Sequence, residues 1–192
     1  MTAPTGSGSG DEIRKVMRML PNGVAMVTCW LEERPWGLTI NTFNSISIYP
    51  PRVLVTLSRH TASYEAIEKS SHFGISLLTE SQIDIARFGS ASGEPKFLEE
   101  FTADHLRGSG PAAAAAKDGR TLNAVGPELS PMVENAHNHL DCAVQQIVYG
   151  GDHGLIIGEV RSVRGGSDHG VSPLLYFDAH YHALGKRYET DG

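Results

Sequence analysis

The chain has 192 residues, 40% of them hydrophobic and 20% charged, with a formal net charge of −6. That length suits one domain with a sizeable core, and that mixture is globular rather than disordered or membrane-like. The negative balance excludes a general nucleic-acid binder, which needs a basic footprint, so any phosphate-bearing ligand has to be met by a local cluster.

In chain order, MTAPTGSGSGD has no basic start leading into an apolar run and reads as a flexible tail over 1–10, neither signal nor anchor. No apolar run approaches the roughly 20 residues of a membrane span, so no membrane association and a cytoplasmic location are expected. Asp11 is the expected cap of a first helix, EIRKVMRML, in which Ile13, Val16, Met17 and Leu20 recur at helical spacing before Pro21, Asn22 and Gly23 stop it. The segments GVAMVTCWL, WGLTINTFNSISI and RVLVTLS, rich in β-branched residues and separated by EERP and Pro50-Pro51, predict three successive strands. A short helix, SYEAIEKSS, is expected to be capped by Ser63, and HFGISLLT to be a further strand. Thr79 and Gln82 form a capping-box pattern opening ESQIDIARF, with Gly89 expected as the left-handed residue that closes it.

Residues 90–131 have scattered Gly and Pro and the run PAAAAAKDG, and read as a long loop that could hold a helical turn. Beyond them HLDCAVQQIVY and LIIGEVRSV form a hairpin joined at GGDH, and PLLYFDAHYHAL ends the fold as a pair of short strands. Six or more strands with a few short helices predict a mainly β fold, a mostly antiparallel barrel with peripheral helices. No G-x-G-x-x-G follows a strand and no G-x-x-x-x-G-K-[ST] is present, which excludes a Rossmann domain and a P-loop. The expected organisation is a single domain over 11–186, with an atypical insert at about 103–120 and a C-terminal tail at 187–192.

Candidate chemistry lies in four places. The strand T-I-N-T-F-N-S-I-S crowds Thr39, Asn41, Thr42, Asn44, Ser45 and Ser47 together, either to offer hydrogen bonds to a flat heterocycle or as an ordinary half-exposed strand. S-R-H-T-A-S sets Ser58, Arg59, His60, Thr61 and Ser63 where a strand gives way to a helix, which suits a phosphate and also suits a plain helix cap. Asp152 and His153 in GGDHG read as a polar turn, a catalytic pair or a metal set. His180 and His182 alternate about Tyr181 on one strand. His137-x-His139 lacks a second ligand cluster, so no metal is expected. No G-x-S-x-G elbow supports a hydrolase. Cys29 and Cys142 lie far apart in apolar runs, as buried free thiols do. Phe43, Phe73, Phe88 and Phe97 read as core, with Phe88 beside Arg87 also placed to reach a cofactor.

Taken in series, PNGVAMVT, GLTINTFNSISIYPPRVLVTLSRHTAS, HFGISLL, SQIDIARF, LDCAV, GGDHGLIIGEV and PLLYFDAHYHAL resemble the flavin reductase family over roughly residues 12–185. These are small NAD(P)H-dependent reductases that supply reduced flavin to two-component monooxygenases. The resemblance implies an FMN-binding split β-barrel that forms a homodimer, takes FAD or FMN near the subunit interface, uses NADH or NADPH, and serves a monooxygenase partner. By position, Thr39, Ile40, Asn41, Thr42, Ser45 and Ser47 would hold the isoalloxazine and ribityl parts. Thr56, Leu57, Ser58, Arg59, His60, Thr61 and Ser63 would hold the phosphate region, with Arg87 and Phe88 as further contacts. Asp152, His153 and Tyr181 would border the nicotinamide. No residue is implied as a catalytic acid or base, because the hydride passes between positioned cofactors. The connection from Phe97 to Leu140 departs from the family pattern in its length and alanine content. The alternative reading is a flavin-binding carrier or storage protein on the same barrel, which would have no use for GGDH or Tyr181.

Overall fold

The computed structural model describes residues 9–102, 129–165 and 171–186. The expected alanine-rich insert, the C-terminal tail and most of the N-terminal tail lie outside the described residues.

Helix α1 (Gly10–Met17) is capped by Ser9 rather than Asp11. Ser9 Oγ accepts the Glu12 N–H at 3.2 Å while the Ser9 N–H donates to the Glu12 carboxylate at 2.7 Å, a reciprocal pair that satisfies two free groups where Asp11 could satisfy one. Its apolar residues Ile13, Val16 and Met17 are exposed, from Met17 at 53% to Val16 at 69%.

The strands are β1 (Asn22–Gly23), β2 (Ala25–Leu31), β3 (Arg34–Ile40), β4 (Phe43–Ser47), β5 (Arg52–Ser58), β6 (His72–Leu77), β7 (Asn138–Gly150), β8 (His153–Gly165), β9 (Leu174–Phe177) and β10 (His180–Ala183). Seven form one antiparallel sheet in the order β3-β2-β6-β7-β8-β5-β4, and β1, β9 and β10 form a small second sheet. The stretch expected as one strand, WGLTINTFNSISI, is therefore two. It breaks at Asn41–Thr42, where the chain leaves its ladder on β2 and starts another on β5. Thr42 fixes that change: its C=O accepts the Thr56 N–H and its Oγ1 donates to the Thr56 C=O, both at 3.1 Å. Strands β3 and β4 are the two edges of the sheet, yet only two residues join them, so the sheet has to curl round on itself. No ladder closes β3 onto β4 among the described residues, and the barrel stays split. The mainly β fold with peripheral helices is the one the sequence predicts.

Strand β2 is buried on both faces, as a central strand covered on both sides must be. Ala25, Val27 and Cys29 join Val55, Phe73, Ile75, Cys142 and Ile156 inside the curl. Met26 joins Leu78, Ala86, Leu98, Val133 and Leu174 in a second cluster beneath α3 (Ile83–Ser90) and the small sheet. Burial pushes both thiols, Cys29 and Cys142, up to about 12, so they are inert core residues.

Helices α2 (Ala62–Ser70) and α3 also differ from expectation at their ends. Helix α2 is capped by Thr61, whose Oγ1 accepts the Tyr64 N–H at 3.3 Å, because Thr61 and not Ser63 has the extended backbone of a cap. The Thr79–Gln82 box is present but opens a single 3-10 turn ahead of α3. Gly89 lies inside α3, where a Cβ would strike Thr39 Oγ1 and Met26 Sδ; its missing side chain lets the helix settle on β3.

Residues 129–134, which take in the end of the loop expected over 90–131, form an irregular strap across β2, β6 and β7. Trp30 Nε1 donates to the Leu129 C=O at 2.9 Å, Thr28 Oγ1 to the Pro131 C=O at 2.6 Å, and the Val133 N–H to Ser76 Oγ at 3.1 Å. Beneath it Asp141 Oδ1 accepts from the Ser130 N–H at 2.7 Å, Ser130 Oγ at 2.6 Å and His72 Nε2 at 2.9 Å. His139 lies between Ser76 Oγ at 2.9 Å and Ser130 Oγ at 3.1 Å. Every member except His72 is buried, and the Ser130–Asp141 contacts pin the strap to the barrel wall.

Candidate active site

Strand β5 alternates. Val53, Val55 and Leu57 enter the core, and Leu54, Thr56 and Ser58 face outward. Across the ladder Thr56 lies opposite Leu155 and Ser58 opposite His153, the first residue of β8. Because Thr42 is bonded to Thr56, one outward strip runs from the end of β3 through Thr42, Thr56 and Ser58 to His153. Thr56 and Ser58 are two strand residues, about 7 Å, apart, so the strip has the reach of a planar heterocycle and its substituent.

The Ser58–Thr61 turn and the hairpin tip meet at one end of this strip. The Arg59 N–H donates to the Asp152 C=O at 3.0 Å. Ser58 C=O accepts both the Thr61 N–H at 3.2 Å and Thr61 Oγ1 at 2.8 Å, which closes the turn at the start of α2. Arg59 and His60 are exposed at this corner. The Asp152 carboxylate and His153 Nδ1 are 2.8 Å apart. That hydrogen bond, aided by the charges of His153 and His60, holds Asp152 below the usual carboxylate range. An ionised carboxylate only accepts, so His153 Nδ1 carries a proton and donates it to Asp152.

Other expected contacts are placed differently. Ile40 and Leu57, 7% and 1% exposed, belong to the core, which leaves only their main chain for a ligand. Ser63 is buried and its Oγ accepts from Trp36 Nε1 at 3.1 Å, so it braces α2 against β3. Thr39 Oγ1 donates to the Ala86 C=O at 2.8 Å, and that bond fixes α3 at the end of the strip. Asn41 and Ser47 are half-buried, and Thr42 and Ser45 are exposed along the edge that β4 leaves free. On α3, Arg87 pairs with Asp84 at 3.4 Å, and Phe88 packs against Phe101 with centroids 5.3 Å apart, inside the second cluster. Tyr181 packs on Tyr176 at 5.4 Å, also in the second cluster, and no hydrogen bond or aromatic contact among the described residues joins it to Asp152 or His153. His180 and His182 are exposed on β10 with ring centroids 6.5 Å apart.

Three side chains escaped the sequence reading. Tyr149 lies under the Arg59 guanidinium, Glu68 accepts from Tyr149, and Lys96 Nζ donates to the Ala91 C=O at the end of α3. For Tyr149 a signal existed, since it ends the strand just before GGDH. His139 reads as half of a possible metal pair in H-x-H, but burial holds it down to about 4 and both ring nitrogens are occupied by Ser76 and Ser130. No group of three or more metal-binding side chains occurs among the described residues, and no helix there is long and apolar enough to cross a membrane.

Comparison with known proteins gives this surface a context. The family described as flavin reductase like domain matches residues 17–185. The reductase subunit HsaB of a flavin-dependent monooxygenase from Mycobacterium tuberculosis is 31% identical over 88% of this chain and 79% of its own length. An NADH-dependent FAD reductase from Streptomyces globisporus is 29% identical over 78% of this chain and 72% of its own. The styrene monooxygenase flavin reductase of Pseudomonas putida S12 superposes with a TM-score of 0.68 at 26% identity, covering 92% of this chain and 99% of that one.

Proposed function

The chain belongs to the flavin reductase like domain family, and from that premise we propose that it catalyses NADH- or NADPH-dependent reduction of free FAD or FMN and delivers the reduced flavin to a partner monooxygenase. The observation that carries the proposal is the single surface made by the Thr42–Thr56–Ser58 strip and the GDH hairpin, fastened together by the Arg59 N–H and the Asp152 C=O. The names of the relatives, NADH-dependent FAD reductase and monooxygenase reductase subunit, support the same reading.

The donors fit a flavin. Asn41, Ser45 and Ser47, with the outer edge of β4, offer N–H and O–H groups to a flat ring and a polyol, and the Ser58 hydroxyl, the Arg59 guanidinium and the His60 ring offer donors to a phosphate. Asp152 and His153 would border the nicotinamide. The bound pair supplies the chemistry, a hydride passed from nicotinamide to flavin. The protein orients the two rings, and holding reactants at contact distance is worth as much as about 7 to 11 kcal/mol in favourable cases. Donors along the β4 edge favour the more electron-rich reduced ring. Thr42, Arg59, His60 and His153 are exposed in one chain, which suits a flavin that exchanges as a substrate rather than one held permanently.

A homodimer in the cytoplasm is part of this reading. The exposed stripe of α1 and the free edge of β4, with Ile46 and Ile48 47% and 67% exposed, supply apolar surface for a second copy to cover. Tyr181, which no hydrogen bond or aromatic contact joins to His153 among the described residues, would then border the nicotinamide from the other subunit. Steady-state assays of the purified chain across NADH, NADPH, FAD and FMN test the activity. Flavin-dependent nicotinamide oxidation is expected, and no acceleration with any pair would refute it.

A further inference from the structure

Arg59 is held at both ends by the β7–β8 hairpin. Its N–H donates to the Asp152 C=O at 3.0 Å, and its guanidinium carbon stands 4.6 Å from the ring centroid of Tyr149. Tyr149 is itself anchored. Its hydroxyl donates to Glu68 Oε1 at 3.4 Å, and the same carboxylate oxygen accepts from Tyr64 OH at 3.3 Å. Tyr64 is 3% exposed and packs where a Cβ on Gly154 would otherwise be, directly across the ladder from Tyr149. A buried residue of α2 thus fixes, through Glu68, the exposed ring on which the guanidinium lies. Arg59 makes no ion pair among the described residues, so its charge is free for a ligand.

A long exposed arginine loses much rotamer freedom when it grips a ligand, and stacking on an aromatic face removes part of that loss beforehand. We propose that Tyr149 is a positioning residue, whose ring holds the Arg59 guanidinium ready for the phosphate of the flavin. The inference rests on the flavin-reductase reading and makes it more specific: phosphate-bearing flavin gains from Tyr149, and flavin without a phosphate does not.

Equilibrium titrations of the full-length chain with FMN and with riboflavin, followed by flavin fluorescence, test it without turnover. Tyr149→Leu should weaken FMN about two- to fivefold, the range of an exposed cation–π contact, and leave riboflavin unchanged. Tyr149→Phe, which keeps the ring and loses only the bond to Glu68, should weaken FMN less than Tyr149→Leu does. In an Arg59→Gln background Tyr149→Leu should add nothing, because the two side chains then act through one contact. Equal losses for FMN and riboflavin, no loss for FMN, or an undiminished loss in the Arg59→Gln background would each overturn the inference while leaving the reductase reading intact. A wild-type chain that binds neither flavin would overturn both.

Discussion

The Arg59 N–H donates to the Asp152 C=O at 3.0 Å, and through that bond two sequence motifs become one surface. The SRHT turn closes the start of α2 and the GDH turn closes the β7–β8 hairpin. With Ser58 opposite His153 in the ladder, neither turn can shift without the other.

His153 is exposed and its Nδ1 is occupied by Asp152, so replacing it should cost little stability. His153→Ala should raise the KM for NADH roughly tenfold, the loss of a hydrogen bond worth about 1.4 kcal/mol, and change flavin affinity much less. Initial rates with each ligand varied in turn, beside a thermal melt, check this. Equal loss for both ligands would assign His153 to folding.

Gly89→Ala should be destabilising although alanine favours helices, because the added methyl has to displace Thr39 Oγ1 or Met26 Sδ. A loss of about 1 to 3 kcal/mol in urea unfolding is expected. Thr39 leads into Asn41 and Thr42, so flavin affinity should fall as well. Full stability would show that α3 can lift off β3 at no cost.

Acid should loosen the strap. Burial above all lowers the pKa of His139, to about 4; the Arg164 and His72 charges lower it further, and Asp141 partly offsets them. Asp141 is pushed up by burial, but hydrogen bonds from His72 and Ser130 outweigh that and leave it below the usual carboxylate range. The signs are the same for both groups. As pH falls from the ordinary histidine value toward about 4, the unfolded chain takes up the His139 proton first, so roughly 3 kcal/mol of stability is lost over that window. Below the ordinary aspartate value a second loss follows, from Asp141. Urea unfolding as a function of pH should therefore be flat near neutrality and fall in two stages. Asp141→Asn should cost about 2 to 3 kcal/mol at neutral pH and remove the second stage.

Much of this was readable from the sequence, and the misses have physical causes. Alternation fixed β5, and GGDH between two apolar runs fixed the hairpin, because both signals are local. The division of WGLTINTFNSISI has only a faint local mark, two successive polar residues at Asn41–Thr42 with no Gly or Pro, while the change of ladder partner from β2 to β5 is a long-range event. Two caps were misplaced by two residues, Ser9 for Asp11 and Thr61 for Ser63, because neighbouring side chains offer the same oxygen and the backbone angle chooses between them. Residues 129–131 are the irregular backbone the sequence predicts; that they are tied down is not legible locally, because their bonds go to Trp30, Thr28 and Asp141, distant in the chain. At the site, family position found the outward Thr56, Ser58 and His153, yet it could not show that Leu57 and Ser63 turn inward.

The central claim is that this surface turns over flavin as a substrate. Anaerobic mixing of the chain with a large molar excess of FAD or FMN over protein, and with NADH or NADPH in excess over the flavin, tests it most directly, with bleaching of the flavin followed over time. The account predicts that the whole excess is bleached, at a rate proportional to protein concentration and far above that of NADH and flavin alone. Bleaching that stops at one flavin per chain, or that proceeds no faster than without protein for either nicotinamide, would contradict it.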